Sequence, residues 1–268
     1  MKNTRRLLHL AALFLVWNEP DSHGATKQPD VARDLAQTIA SLFSITVQNF
    51  FVASRWDRPG TANVVEFRSL IPFKVWDQEN LIRVDIPFRT ASELGPGLSD
   101  VRFFDLIMFK TDTAIWGVGP VFNLGINRGP GTDSLQAGPA ATFISKAIPS
   151  LSIGLLNQNF FSDQVAFSAL QPILSLDLNK KWTIGLGELP IVYNWKKSTF
   201  AVFSVGLQLG VLVDLAKQPV RFFVNPQYNT RSNSQLYQWT IALGMTLPLS
   251  LPTTLPTTLP TTLPSSAD

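Results

Sequence analysis

The sequence predicts an all-β transmembrane fold: an up-and-down antiparallel β-barrel of about twelve strands, preceded by a short N-terminal helix. Three observations predict it. Residues Gln235 to Leu247 alternate without a break. Tyr237, Trp239, Ile241, Leu243, Met245 and Leu247 fall on one face, and Gln238, Thr240, Ala242, Gly244 and Thr246 on the other. Charged residues make up only 15% of the chain, below the quarter usual for soluble domains. Finally, 16 Gly, 19 Pro and 19 Phe favour many strands and turns over helices. A strand whose outside meets lipid and whose inside meets water carries this kind of alternation.

Residues 1–25 read as a secretory signal. Lys2, Arg5 and Arg6 form a basic start, Leu7 to Trp17 an apolar stretch broken only by His9, and Gly24 and Ala25 offer small residues for cleavage. The apolar stretch is too short to span about 30 Å of hydrocarbon. Both histidines, His9 and His23, lie in this leader, and the chain has no Cys. Ser-His and Cys-His nucleophiles, disulfides, and His- or Cys-ligated metals are thereby excluded from the mature chain. The sequence points to no catalytic residue, no cofactor and no metal. A formal charge of +3 without runs of like charge leaves no electrostatic footprint for nucleic acid.

Residues 26–41 read either as a short helical segment before the first strand or as an ordinary fraying leader. Asp30 can cap a helix, and Val31, Asp34, Leu35, Thr38, Ile39 and Leu42 recur at helical spacing. The barrel is expected over 42–248, with strands at about 42–53, 62–73, 80–89, 99–110, 114–126, 135–146, 150–161, 165–178, 182–193, 199–213, 219–229 and 235–247. An even count places both barrel ends on one side. Connections tend to alternate in length. Ser54–Thr61, Thr90–Leu98, Asn127–Ser134, Ser162–Gln164, Asn194–Ser198 and Thr230–Ser234 lie at one rim. Thr111–Thr113, Ala147–Pro149, Asn179–Lys181 and Asp214–Gln218 lie at the other, with Lys74–Glu79 as a longer exception there. Residues 249–268 form a tail of Leu-Pro-Thr-Thr repeats, in which Pro at every fourth position forbids helix and central strand.

The second and third strands carry charge on one face. Val65, Phe67, Ser69 and Ile71 alternate with Glu66, Arg68 and Leu70, and Ile82, Val84, Ile86 and Phe88 alternate with Arg83, Asp85 and Arg89. Arg or Lys at the lipid midplane costs about 2–4 kcal/mol, so Glu66, Arg68, Arg83, Asp85 and Arg89 are expected in the lumen. A turn centred between Trp76 and Asp77 opposes Arg68 to Asp85, and the register two residues shorter would oppose like charges. The cluster either neutralises the interior and holds the register or selects solutes. Asp105 shares the parity of Val101, Phe103, Ile107 and Phe109, and a bulge or a local slip is needed to turn it inward. Trp56, Trp76, Trp182, Tyr193, Trp195, Tyr237 and Trp239 sit near strand ends, as an interfacial girdle requires. Gly117-Val-Gly119-Pro and Gly185-Leu-Gly187-Glu lie inside alternating stretches and precede no helix, so they do not read as phosphate loops.

Several short motifs resemble a known family. They are Asp34-Leu-Ala, Gln48-Asn, Ile71-Pro72, Leu81-x-Arg83 through Ile86-Pro87, Gly97-Leu-Ser-Asp100, Trp116-Gly-Val-Gly-Pro120, Gly138-Pro139, Gln171-Pro172, Lys181-Trp182 and Asn194-Trp195. From about Asp34 to Pro248 the chain is similar to the outer-membrane proteins grouped under a phenol-degradation (MetA-pathway) heading, often labelled transporters and in some members misnamed neuromedin U. The resemblance implies an outer-membrane barrel of a Gram-negative-type cell that passes small, hydrophobic or aromatic solutes. It assigns no binding residues. Members end at an apolar-Pro pair matching Leu247-Pro248, whereas this chain runs on into its tail.

The expected function is a passive channel in contact with membrane lipid and lipopolysaccharide, its lumen lined by the charge cluster and narrowed by the loop Thr90–Leu98. The rival expectations are a structural barrel without an open pore and a secreted β-sandwich. The latter would expose far more apolar surface than soluble proteins tolerate.

Overall fold

In the computed structural model, which describes residues 43–56, 61–91, 95–126, 135–230 and 237–249, the alternating last strand is also the strand that closes the sheet. The elements are β1 (Ser44–Arg55), β2 (Ala62–Val75), β3 (Gln78–Ala91), β4 (Gly97–Leu98), β5 (Val101–Lys110), β6 (Ala114–Leu124), β7 (Leu135–Ile148) and β8 (Leu151–Phe161). They continue with β9 (Ala166–Asp177), β10 (Trp182–Gly185), β11 (Ile191–Asn194), β12 (Thr199–Gly206), β13 (Gln208–Leu215), β14 (Gln218–Asn229) and β15 (Tyr237–Pro248). β15 bonds antiparallel to β14 on one side and to β1 on the other, so the ring has no free edge. Closure matters because hydrocarbon offers no partner for an unpaired N–H or C=O.

The ring has the expected twelve staves, because three of them are each built from two segments: β4 with β5, β10 with β11, and β12 with β13. Each interruption has a chemical cause. Pro226 lacks an N–H, so Leu207 between β12 and β13 has only one bond to its partner, from its N–H to the Pro226 carbonyl at 3.3 Å. The expected continuous strand 182–193 is instead broken at Leu186–Pro190, where Gly187 takes φ +66° and Pro190 has no donor. Residues 186–190 stand against residues 171–174 of β9, one residue more on the bulged side.

Strands reach further into the turns than the sequence suggests. The connection expected over Lys74–Glu79 is a two-residue turn, because Lys74 and Glu79 pair within the ladder and leave only Trp76 and Asp77, both with positive φ. Ala216 and Lys217 form the matching turn between β13 and β14, shorter than the expected Asp214–Gln218. At the opposite rim, Gly97 and Leu98 belong to the wall, paired with Arg89 and Phe88, so this part of Thr90–Leu98 does not narrow the lumen. The leader, the helix of residues 26–41 and the Leu-Pro-Thr-Thr tail lie outside the described residues.

Outward positions are mainly apolar all round. Phe51, Phe67, Ile86, Ile107, Val118, Phe143, Ile153, Leu176, Trp182, Phe203, Phe222 and Leu243 are exposed on successive staves. Inward positions divide into two regions. On β14, β15 and β1 they are polar and buried: Arg221, Asn225, Gln227, Thr240, Thr246, Thr46 and Gln48. On β5 to β9 an apolar cluster of Phe104, Leu106, Met108, Val121, Ile144, Leu156, Phe160 and Ile173 packs out of reach of solvent, beside buried polar residues such as Asn123, Gln136, Gln158 and Ser175. The expected small, polar inner face thus gives way in part to an apolar cluster on one side of the ring. Both faces of β5 are apolar, which hides its alternation.

Asp105 corrects another expectation. The β3–β5 register runs through it without a shift, Ile82 standing opposite, so no bulge turns it inward. It faces outward among apolar neighbours, and its Oδ1 is buried without a hydrogen-bond partner. Replacing Asp105 by Val should raise the stability to urea of the membrane-inserted protein by roughly 1 kcal/mol. An unchanged or lowered unfolding midpoint would contradict the outward placement.

Candidate functional site

Pairing register brings the charged side chains together. Across the wall, Arg221, Thr246, Thr46, Arg68, Asp85, Arg102, Asn123 and Gln136 are consecutive cross-strand partners, giving one polar row along the inner surface from β14 to β7. A period of two keeps the whole row on the lumen side.

Four arginine and carboxylate side chains of β2 and β3 form the centre, all buried. Arg68 donates from Nε to Asp85 Oδ1 at 2.6 Å and from Nη2 to Glu66 Oε1 at 2.7 Å. Arg83 reaches Asp85 with Nε at 2.9 Å from Oδ1 and Nη2 at 2.9 Å from Oδ2. Glu66 also accepts from Gln48 Nε2 at 2.8 Å. On the next stave, Arg102 Nη2 lies 3.8 Å from both Glu66 Oε2 and Asp85 Oδ2. The Arg83 guanidinium sits 5.8 Å from the centre of the Phe104 ring, at the border of the apolar cluster.

The sixth charge comes from the far side of the ring. Glu188 lies on the bulge between β10 and β11, across the lumen from β3. The bulge bends inward: inward-pointing Asn225 and Gln227 of β14 donate to the Leu186 and Glu188 carbonyls, each at 3.3 Å. Glu188 then meets Arg68 in a two-point contact, Oε1 against Nη1 and Oε2 at 2.6 Å from Nη2, and its Oε1 lies 3.7 Å from Arg83 Nη2. Gly187 makes this bend possible. Its φ is positive, and a Cβ there would come within 2.9 Å of the Asn225 side chain.

Among the residues singled out from sequence, Glu66, Arg68, Arg83 and Asp85 meet in this layer, with Arg68 opposite Asp85 in register. Arg89 does not join it. It lies closer to the loop rim beside Val64 and Gly97, and its Nε has no hydrogen-bond partner. Trp56, Tyr193, Trp195, Tyr237 and Trp239 stand at the rim of the long loops, and Trp76 and Trp182 at the rim of the tight turns. Trp56 and Trp239 both contact Tyr228, at 6.0 and 5.1 Å between ring centres, while Tyr193 packs against Trp195 and Phe200.

Sequence reasoning missed Glu188, Arg102 and Arg221. Arg102 precedes a stretch without alternation, and Glu188 sits in a Gly- and Pro-flanked segment that period two alone reads as regular strand. The Gly-Leu-Gly-Glu-Leu-Pro run was the available signal for a bulge. Arg221 is buried near β13, held by Gln208 Oε1 at 2.7 Å. Trp116, stacked on Phe109 at 4.0 Å near the turn rim, was likewise missed as an aromatic of the wall.

Removing one partner of a buried charge network strands the others, which typically costs about 3–5 kcal/mol. Arg68→Met should therefore lower stability by that amount in equilibrium urea unfolding from vesicles. A loss below about 1 kcal/mol, the level of an exposed ion pair, would contradict the buried layer.

No family model and no curated protein matches the sequence. Solved structures do match. The porin KdgM, solved in complex with disordered oligogalacturonate, aligns over 77% of this chain and 99% of its own, with TM-score 0.50 and 12% identity. The NanC porin aligns over 78% and 100%, with TM-score 0.52 and 10% identity. An outer-membrane channel from Pseudomonas putida F1 aligns over 86% and 99%, at 13% identity and a TM-score of 0.49, too low to carry weight. At such identities the likeness is one of fold: the chain has the closed antiparallel barrel of outer-membrane porins.

Proposed function

We propose that this protein is an outer-membrane channel for passive passage of small solutes, with its selective point at the charged layer. The observation that carries the reading is the meeting of Glu188 with Arg68 and Arg83 from opposite sides of the ring. A structural role alone is met by pairs on neighbouring strands, as Arg68 and Asp85 already are. A contact across the lumen stands in the path of anything that moves along it. Around the charged layer Arg68, Arg83, Arg89, Arg102 and Arg221 stand against Glu66, Asp85, Asp100 and Glu188, with Glu79 and Asp177 nearer the turn rim, and this local excess of arginine favours anions.

The aromatic residues at both rims fit interfacial belts, with lipid, including lipopolysaccharide, as the partner of the outer wall. The leader of residues 1–25 supplies the export route in this reading. An enzymatic role of the Ser-His kind lacks its histidine in this reading, since His9 and His23 both belong to that leader.

A second reading, a structural barrel without an open pore, is favoured by the buried apolar cluster on β5 to β9, which carries no groups to solvate an ion. Planar bilayer recording separates the two. The channel reading expects discrete conductance steps and a reversal potential favouring chloride over potassium, reduced or inverted in Arg68→Gln/Arg83→Gln. Silent bilayers, together with no solute uptake by a porin-deficient host, would establish the structural reading instead.

A further inference from the structure

We propose that Arg68 and Arg83 form a binding site for a small carboxylate with an apolar body, and that Glu188 is a built-in competitor occupying it. The inference rests on the channel reading only for its physiological sense. The site itself follows from charge, exposure and geometry.

Three arginines, Arg68, Arg83 and Arg102, face three carboxylates, Glu66, Asp85 and Glu188. The carboxylates are not equivalent. Glu66 and Asp85 project from ladder-bound strands, and their side chains are 5% and 4% exposed. Glu188 projects from a bulge and is 20% exposed, the most open of the three. The Glu188 backbone is held through its carbonyl by Gln227, so its carboxylate can swing away by side-chain rotation alone, with no ladder bond broken. Departure of Glu188 would leave one positive charge uncompensated in a buried layer. A monocarboxylate restores neutrality there, and its two oxygens match the two-point contact that Glu188 makes with Arg68.

A second observation points to a ligand. Nη1 of Arg83 is buried and has no hydrogen-bond partner, although Arg68 and the other two nitrogens of Arg83 are satisfied at close range by their neighbours. A guanidinium offers five donors, and a buried unmet one is costly. Glu188, reaching mainly Arg68, stays 3.7 Å from Arg83 Nη2 and does not meet this need. A free carboxylate, not tethered to the far wall, can sit between both arginines. The apolar body is indicated by the register partners of Arg83, which are Leu70 and Phe104, both buried and both part of the apolar cluster. Leu189, next to Glu188, is buried as well.

The test uses the full-length protein in detergent, with benzoate as probe, benzamide as its neutral counterpart and inorganic phosphate as a different anion. Heat-modifiable mobility verifies that each variant is folded, and isothermal titration calorimetry reads binding. Glu188→Gln should bind benzoate about tenfold more tightly than the unaltered protein, because the competing carboxylate is gone. Benzamide and phosphate should show no such gain, and adding Arg83→Gln should abolish it. Glu188→Ala carries the same expectation should the Gln variant fail to fold. Equal benzoate affinity with and without Glu188, or a gain shared by benzamide or phosphate, would overturn the proposal. Conductance of the same preparations keeps the two readings apart. Gained benzoate binding in a protein that never conducts removes the channel and leaves the site, whereas conduction without the gain removes the site and leaves the channel.

Discussion

Everything in this molecule depends on closing the sheet. In hydrocarbon a strand edge has no solvent to bond, so β15 must find both β14 and β1. Once the ring is shut, each side chain has only two places to be, and the period of two assigns them. Apolar residues take the outer wall, and every charge of β2 and β3 is carried inside. The ionic layer is therefore a consequence of closure. Residues distant in sequence, such as Arg68 and Arg102, become neighbours because the register of β2, β3 and β5 is shared.

Burying so much charge demands near-neutrality, and the barrel achieves it in two ways. Adjacent strands supply Arg68–Asp85 and Arg83–Asp85, pairs that any twisted ladder can offer. The remaining charge is met from across the lumen by Glu188, which a regular strand would place against its own wall. A bulge with one residue more than its neighbour, a glycine at positive φ and a proline without a donor bring it inward. Breaking the β10–β11 stave is what gives the lumen a contact spanning it.

How much of this was legible in the sequence follows from where period two governs alone. The stave count, the outward face of Tyr237 to Leu247 and the Arg68–Asp85 register were all readable, because in those stretches lipid lies on one side and polar groups on the other. β5 was less readable. Its inner face carries Phe104, Leu106 and Met108, its outer face Phe103 and Ile107, and no alternation survives when both surroundings are apolar. The same stretch invited a bulge at Asp105 that the ladder does not contain. The charged layer was half legible: Glu66, Arg68, Arg83 and Asp85 could be placed by parity, while Glu188 could not. Its contact depends on a departure from the strand, and parity says nothing about a residue that leaves the wall. Arg89 shows the reverse error, since parity places it inside but cannot tell its height from that of the cluster.

The central claim is that Glu188 and Arg68 meet across the lumen, and a double-mutant cycle measures it most directly. Unfolding free energies of the unaltered protein, Arg68→Gln, Glu188→Gln and the double variant, taken in the same vesicles, isolate their coupling. The account predicts a coupling of about 1–3 kcal/mol. Additive effects, with no coupling beyond about 0.3 kcal/mol, would mean that the two side chains do not touch.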